Sequence, residues 1–328
     1  ISVVIPAFNA GEGISWTLKS IFCQEIVPNE IVVVDDGSTD DTTEFVEEFG
    51  DKVLLISQSN QGAASARYTG VLKSSSDIVV FCDAGDYARP CKIRLIREAF
   101  INFPEAVAGF GVQWNKEKEK EPKVTQWVNS PLDGSFHLIK DPYSLLLSIP
   151  GPLARVMDIG IKRDIALHST NIPKFYTGAN DYLVQLRTAA YGPFVYIADI
   201  TTDFEFLPGG ITKTLTLDVQ QGFSLCGAVE TFESFKRTEN DHINFWNRVI
   251  EGLPKALLAA YLKKKWALFR RLLVIQWKYG SVRKFLRRFW WALKNNEEKG
   301  NLDSNRFLYF VTRFGIATKK YTKKLFKA

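Results

Sequence analysis

Apolar residues in the first hundred positions follow two alternating rhythms. Short unbroken apolar runs at 2–6, 30–35, 53–58 and 78–82 are bounded by Gly, Asn, Asp and Ser. Such runs predict strands buried on both faces. Between them the apolar positions recur every three or four residues, as with Ile14, Leu18, Ile21 and Phe22. This spacing predicts helices over 14–24, 39–49 (N-capped by Ser38 or Thr39), 63–73 and from Pro90 to about 102. Strand and helix in strict alternation predict an α/β fold, a mostly parallel sheet with helices on both faces.

Beyond position 106 the pattern loosens. Strands are predicted at 106–114, 155–161 and 194–200, and helices at 141–148 and 179–190, the latter after the Tyr176-Thr177-Gly178 turn. The charge run 116–123 reads as an exposed loop, and Pro208-Gly209-Gly210 breaks any element. From about 215 onward the spacing is helical. The expected organisation is a catalytic α/β domain over 1–215 and a helical region over 216–328.

Parallel strands present their C-terminal ends at one rim, where ligands of such sheets bind. Three predicted strands end in small and acidic residues: Pro6-Ala7-Phe8-Asn9, Asp35-Asp36-Gly37-Ser38-Thr39-Asp40 and Asp83-Ala84-Gly85-Asp86. Asn60-Gln61-Gly62 leads into a helix that carries Arg67. Carboxylates gathered beside an arginine suit a divalent cation and a phosphate, because hard cations favour oxygen ligands.

These four segments, in this order and spacing, resemble the family 2 glycosyltransferases, which have the Rossmann-like GT-A fold. The resemblance covers roughly residues 1–215. It implies that Pro6, Ala7, Phe8 and Asn9 line a base pocket and that Asp36 and Arg67 hold the nucleotide. It also implies that Asp83 contacts the nucleotide and, with Asp86, a metal, Mn²⁺ or Mg²⁺. Asp181, in Asn180-Asp181-Tyr182, falls where the family keeps its general base. Three positions depart from the pattern: Tyr68 stands for Asn, Asn180 for Glu, and Gly85 for the carboxylate usually nearest the metal. The implied activity is inverting transfer of a sugar from a nucleotide diphosphate donor, UDP-linked, to a glycan or lipid-linked saccharide, as in surface polysaccharide synthesis. The alternative is a catalytically weak sugar-nucleotide or glycan-binding module of a larger assembly.

Charge adds a second theme. The chain carries +6 overall, but residues 240–328 hold 21 of its 42 basic and only 5 of its 36 acidic residues. Lys263-Lys264-Lys265-Trp266, Phe269-Arg270-Arg271 and residues 283–291 interleave cations with large apolar residues. That pattern suits either an anionic membrane surface or a helical subdomain with solvated cations. Nucleic acid is not expected. No apolar run is long enough to span a bilayer, and no secretory leader is visible. A cytoplasmic location, peripheral on the inner face of the plasma membrane, is therefore expected. Cys23, Cys82, Cys91 and Cys226 lack metal-ligand spacing and read as reduced thiols. His137, His168 and His242 form no site.

Overall fold

The computed structural model describes residues 1–115, 131–149, 152–176, 179–204, 217–235, 245, 252–253 and 255–279. The charge run 116–123, Thr177-Gly178, the 208–210 breaker, His242 and the 283–291 stretch lie outside these residues. The chain divides into two compact units, Ile1–Gly210 and Ile211–Ala328.

The first unit is built on one nine-stranded sheet. Strands β1 (Ser2–Ala7), β2 (Glu30–Asp35), β3 (Leu54–Ser57) and β4 (Ile78–Phe81) are parallel neighbours in the order β3-β2-β1-β4. The sheet continues through β8 (Ile159–Lys162), β6 (Ala108–Trp114), β9 (Phe194–Asp203) and β5 (Tyr87–Ala88), with β7 (Phe136–Ile139) also paired to β9. β8 runs antiparallel to β4 and β6, whereas β6 and β9 are parallel. The short strands β5 and β7, both antiparallel to β9, are too brief to leave a periodic signal.

Side chains alternate across a strand, and both faces of β1 are covered. Val3, Ile5 and Ala7 share a core with residues of α1 (Gly13–Phe22), α2 (Thr42–Glu47) and α4 (Lys92–Asn102). Val4 points the other way, toward α3 (Ala63–Lys73), where Gly70 lets the helix backbone lie directly on its side chain. Each such buried aliphatic side chain contributes about 1.5–3 kcal/mol. α5 (Pro142–Ser148), α6 (Arg163–Ser169) and α7 (Asn180–Ala189) complete the unit, and the Tyr182 hydroxyl of α7 donates to Leu146 O at 3.1 Å.

Two boundaries differ from expectation for a physical reason. Helix α2 starts at Thr42, not at 39, because Ser38 and Thr39 are bonded to Asn9 instead of capping a helix. Asn9 N–H donates to Ser38 Oγ at 2.9 Å, and Thr39 N–H donates to Asn9 Oδ1 at 2.8 Å. The predicted strand 155–161 is instead a 3-10 turn, Val156–Asp158, followed by β8. The turn carries Asp158 into the interior, where it is fully buried.

In the second unit, α8 (Leu217–Ser234) and α9 (Trp266–Tyr279) pack together. A Cβ on Gly222 would lie 3.2 Å from Leu268 Cδ2. Leu268, Phe269, Leu272 and Leu273 are buried, whereas Lys263, Lys264 and Lys265 are exposed. The described part of the basic region thus buries one apolar stripe, while these lysines and also Leu262, Trp266 and Val274 face solvent. No helix among the described residues is long and apolar enough to cross a membrane. All four cysteines are free.

Candidate active site

The register of β1, β2 and β4 brings the sequence-predicted segments to one rim. Ala7 pairs with Asp35, Asp36 N–H donates to Ala7 O at 2.8 Å, and Cys82 N–H donates to Val4 O at 3.1 Å. Pro6 and Ala7 are buried, while Phe8 is 50% exposed beside them and presents its ring to solvent. Asn9 takes a positive φ of 48°, a conformation its short polar side chain tolerates.

Asp35, the last residue of β2, and Asp36 after it are both buried and hydrogen-bonded within the rim. Asp35 Oδ1 accepts from Ser38 N–H at 3.0 Å. Asp36 accepts from Gln61 N–H at 2.9 Å, Gly62 N–H at 2.7 Å and Gln58 Nε2 at 2.7 Å. Asp36 therefore shapes the loop that opens α3, and Gln58 joins it to Thr69, whose hydroxyl donates to Gln58 Oε1 at 2.7 Å.

From α3, Arg67 is buried and donates from Nη2 to Asp83 Oδ1 at 2.7 Å. Its Nε has no hydrogen-bond partner among the described residues. Burial alone would lower the Arg67 pKa, but Asp83, Asp181 and Asp86 outweigh it and hold the pKa above the ordinary value. Arg67, Asp83, Asp86 and Asp181 thus form one electrostatic cluster. Asp181 lies in the first turn of α7. Burial raises its pKa, Arg67 pulls it down, Asp83 pushes it up, and the Arg155 guanidinium and the nearby Val156 N–H dipole favour the carboxylate. The net result is a base of raised basicity, the condition proton abstraction near neutral pH requires.

The Asp83–Asp86 turn is pinned by Thr17 of α1. Gly85 N–H donates to Thr17 Oγ1 at 2.9 Å, and the hydroxyl donates to Asp86 O at 2.8 Å. Gly85 has φ +98°, and a Cβ on Gly13 would lie 3.3 Å from Gly85 Cα. The glycine at this position is thus a demand of the turn, because an L side chain would be strained there. Gly85→Asp is expected to lower stability by about 1–3 kcal/mol, read by chemical denaturation.

Asp86 is buried, and its Oδ2 has no hydrogen-bond partner among the described residues. Burial, then the neighbouring Asp83, pushes its pKa up to about 8. An orphaned carboxylate oxygen beside a second carboxylate fits a cation whose remaining ligands come from a phosphate. Among the described residues, no group of three or more His, Cys, Asp or Glu could hold a metal without such help.

Residues 2–154 match the family model for glycosyl transferase family 2. This segment of the chain belongs to that family. Among curated relatives, chondroitin synthase of Escherichia coli is 26% identical over 228 residues, 67% of this chain and 31% of that protein. The chain spans about a third of the length of the curated relatives it matches first. Of solved structures, S. aureus TarS 1-349 in complex with UDP-GlcNAc has a TM-score of 0.53 at 16% identity, covering 87% of this chain and 88% of that one. The mannosyltransferase PcManGT of Pyrobaculum calidifontis, in complex with GDP-Man and Mn²⁺, has a TM-score of 0.55 at 16% identity, covering 96% and 84%. The fold is thus that of the GT-A glycosyltransferases.

Within this family 2 segment and just beyond it, several site-shaping residues escape sequence reasoning. Thr17 and Gln58 look like ordinary helix and strand-end residues. Arg155 acts electrostatically on both Asp86 and Asp181, and its guanidinium lies 3.9 Å from the Phe204 ring centroid. Phe204 follows β9, so only the fold brings the pair together.

Proposed function

We propose that this chain is an inverting glycosyltransferase that moves a sugar from a nucleotide diphosphate donor, UDP-linked, to a glycan or lipid-linked saccharide. The observation that carries this reading is the cluster of Arg67, Asp83, Asp86 and Asp181, assembled from three separate segments: α3, the Asp83–Asp86 turn and the start of α7. The rim beside Pro6, Ala7, Phe8 and Asn9 receives the base, and Asp36 keeps the Asn60–Gly62 loop in the shape that borders it. Arg67 and Asp83 meet the diphosphate. Asp83 and Asp86 would hold Mn²⁺ or Mg²⁺, and such an ion, when bound, neutralises charge on the departing diphosphate. Asp181 Oδ takes the proton from the acceptor hydroxyl as that oxygen attacks the anomeric carbon. The bond to the nucleotide diphosphate breaks on the opposite face, so one displacement inverts the centre. The relatives' own activities, a chondroitin synthase among them, support a polysaccharide or surface-glycan acceptor.

The basic second unit, with Lys263, Lys264 and Lys265 exposed, supports attachment to an anionic membrane surface on the cytoplasmic side. This places the enzyme near a lipid-linked acceptor. A second reading, a catalytically weak sugar-nucleotide or glycan-binding module, draws on Gly85 and on Asn180, whose Oδ1 is buried with no partner among the described residues.

The two readings separate on nucleotide release. With Mn²⁺ and a panel of UDP-sugars, the enzyme is expected to release UDP slowly in the absence of acceptor. Binding of a UDP-sugar without any release would favour the module.

A further inference from the structure

Lys92 opens α4 and is fully buried, its ammonium facing away from solvent. Its Nζ donates to Met157 O at 2.8 Å, Thr202 Oγ1 at 3.0 Å, Phe81 O at 3.3 Å and Cys82 Sγ at 3.4 Å. Asp158 lies 3.4 Å away, also fully buried. The Asp158 carboxylate accepts from the hydroxyls of Thr201 at 2.7 Å and Thr202 at 2.6 Å. Burial pulls the Lys92 ammonium toward losing its proton, and Cys82 and Asp158 more than offset that, leaving its pKa above the ordinary value. A desolvated ion pair is a poor source of stability and is often replaced by apolar residues without loss. Its presence here calls for a role in placement.

The contacts of this one ammonium fall on both halves of the site. Phe81 O and Cys82 are the last residues of the strand end that leads into Asp83. Met157 O belongs to the 3-10 turn Val156–Asp158, which packs against α7, the helix that carries Asp181. Thr202 anchors the same ammonium to β9. We propose that Lys92 is a positioning residue whose buried ammonium, paired with Asp158, ties the segment carrying Asp83 to the turn that packs against the Asp181 helix. It thereby sets the spacing between the donor side and the base. The inference rests on the transferase roles proposed above for Asp83 and Asp181.

The test uses the full chain and the double variant Lys92→Met/Asp158→Asn, which replaces the pair without leaving a lone buried charge. Val46→Ala, on α2 and outside the site, serves as a control for lost stability alone. Two readouts are taken on folded protein. One is amide hydrogen exchange at Cys82, Gly85 and Ile159, whose N–H groups bond Val4 O, Thr17 Oγ1 and Val156 O. The other is UDP release from a UDP-sugar, resolved into kcat and KM. The double variant is expected to exchange at least tenfold faster at these amides. Its kcat should fall at least tenfold with KM changed less than threefold, while Val46→Ala keeps its kcat within twofold. Unchanged exchange at Cys82 and Ile159, or faster exchange with unchanged kcat, would overturn the proposal. If the double variant does not fold, Lys92→Arg, which keeps the charge, is read in the same way and is expected to retain more kcat than Lys92→Gln. Equal kcat in the two would overturn it. A wild-type protein that releases no UDP from any UDP-sugar overturns the transferase reading instead, and the exchange readout then decides the placement role alone.

Discussion

Asp181→Asn is expected to cut UDP release and sugar transfer by about 10²–10⁴-fold, the range for removal of a positioned general base. Asparagine keeps the shape, but it cannot take a proton. UDP affinity should change no more than a few-fold, because Asp181 acts on the acceptor oxygen. The variant also bears on pH. In the wild type the carboxylate must be ionised to act, so kcat/KM rises with pH along a limb set by Asp181. Burial moves that limb above the ordinary carboxylate range and Arg67 holds it back. In Asp181→Asn the limb should vanish. A variant with near wild-type turnover and an unchanged limb would remove Asp181 from the chemistry.

The second large effect belongs to Asp86. Its carboxyl is held near 8 in the folded chain, chiefly by burial and then by Asp83, against an ordinary value of 3.8. Between these values the folded state binds a proton that the unfolded state has released. Stability therefore falls as pH rises from about 4 to about 8, and then levels off. Asp86→Asn carries no such charge. In chelator at pH 8.5 it should be more stable than wild type by a few kcal/mol, of the order expected for a shift this large. The two proteins should converge near pH 4. Added Mn²⁺ with UDP should stabilise the wild type at pH 8.5 by more than it stabilises Asp86→Asn, since the cation takes the place of the proton. Denaturation curves that run parallel across this pH range would show that Asp86 is ordinary.

The legible parts of this molecule were those encoded by local pattern. β1, β2, β4 and α3 stand where the apolar runs and helical spacing put them, because each is a short element closed by turn residues. The rim followed from strand parallelism alone, and it carried Asp83, Asp86 and Arg67 to one place. Illegible were features decided by partners distant along the chain. Strand direction leaves no mark on periodicity, so the antiparallel insertion of β8 between β4 and β6 could not be read. Asp36, expected at the nucleotide, also accepts three donors from the 58–62 segment, a tie that no periodicity reveals. Ser38 and Thr39 looked like helix caps until Asn9 was found between them. Nothing in the helical pattern marks Lys92 as buried, because Asp158 meets it only through the fold. The departure at Gly85 becomes intelligible only with its backbone angle: the turn under Thr17 needs a residue without a side chain.

On the proposed reading, the rim of β1, β2 and β4 binds a nucleotide diphosphate through Arg67, Asp83 and Asp86. Calorimetric titration of UDP, GDP and dTDP, each with and without Mn²⁺, is the direct measurement. Saturable one-site binding of UDP is expected, tightening at least tenfold with Mn²⁺, with the metal enhancement lost in Asp86→Asn. Absence of binding for all three nucleotides, with and without the metal, would contradict it.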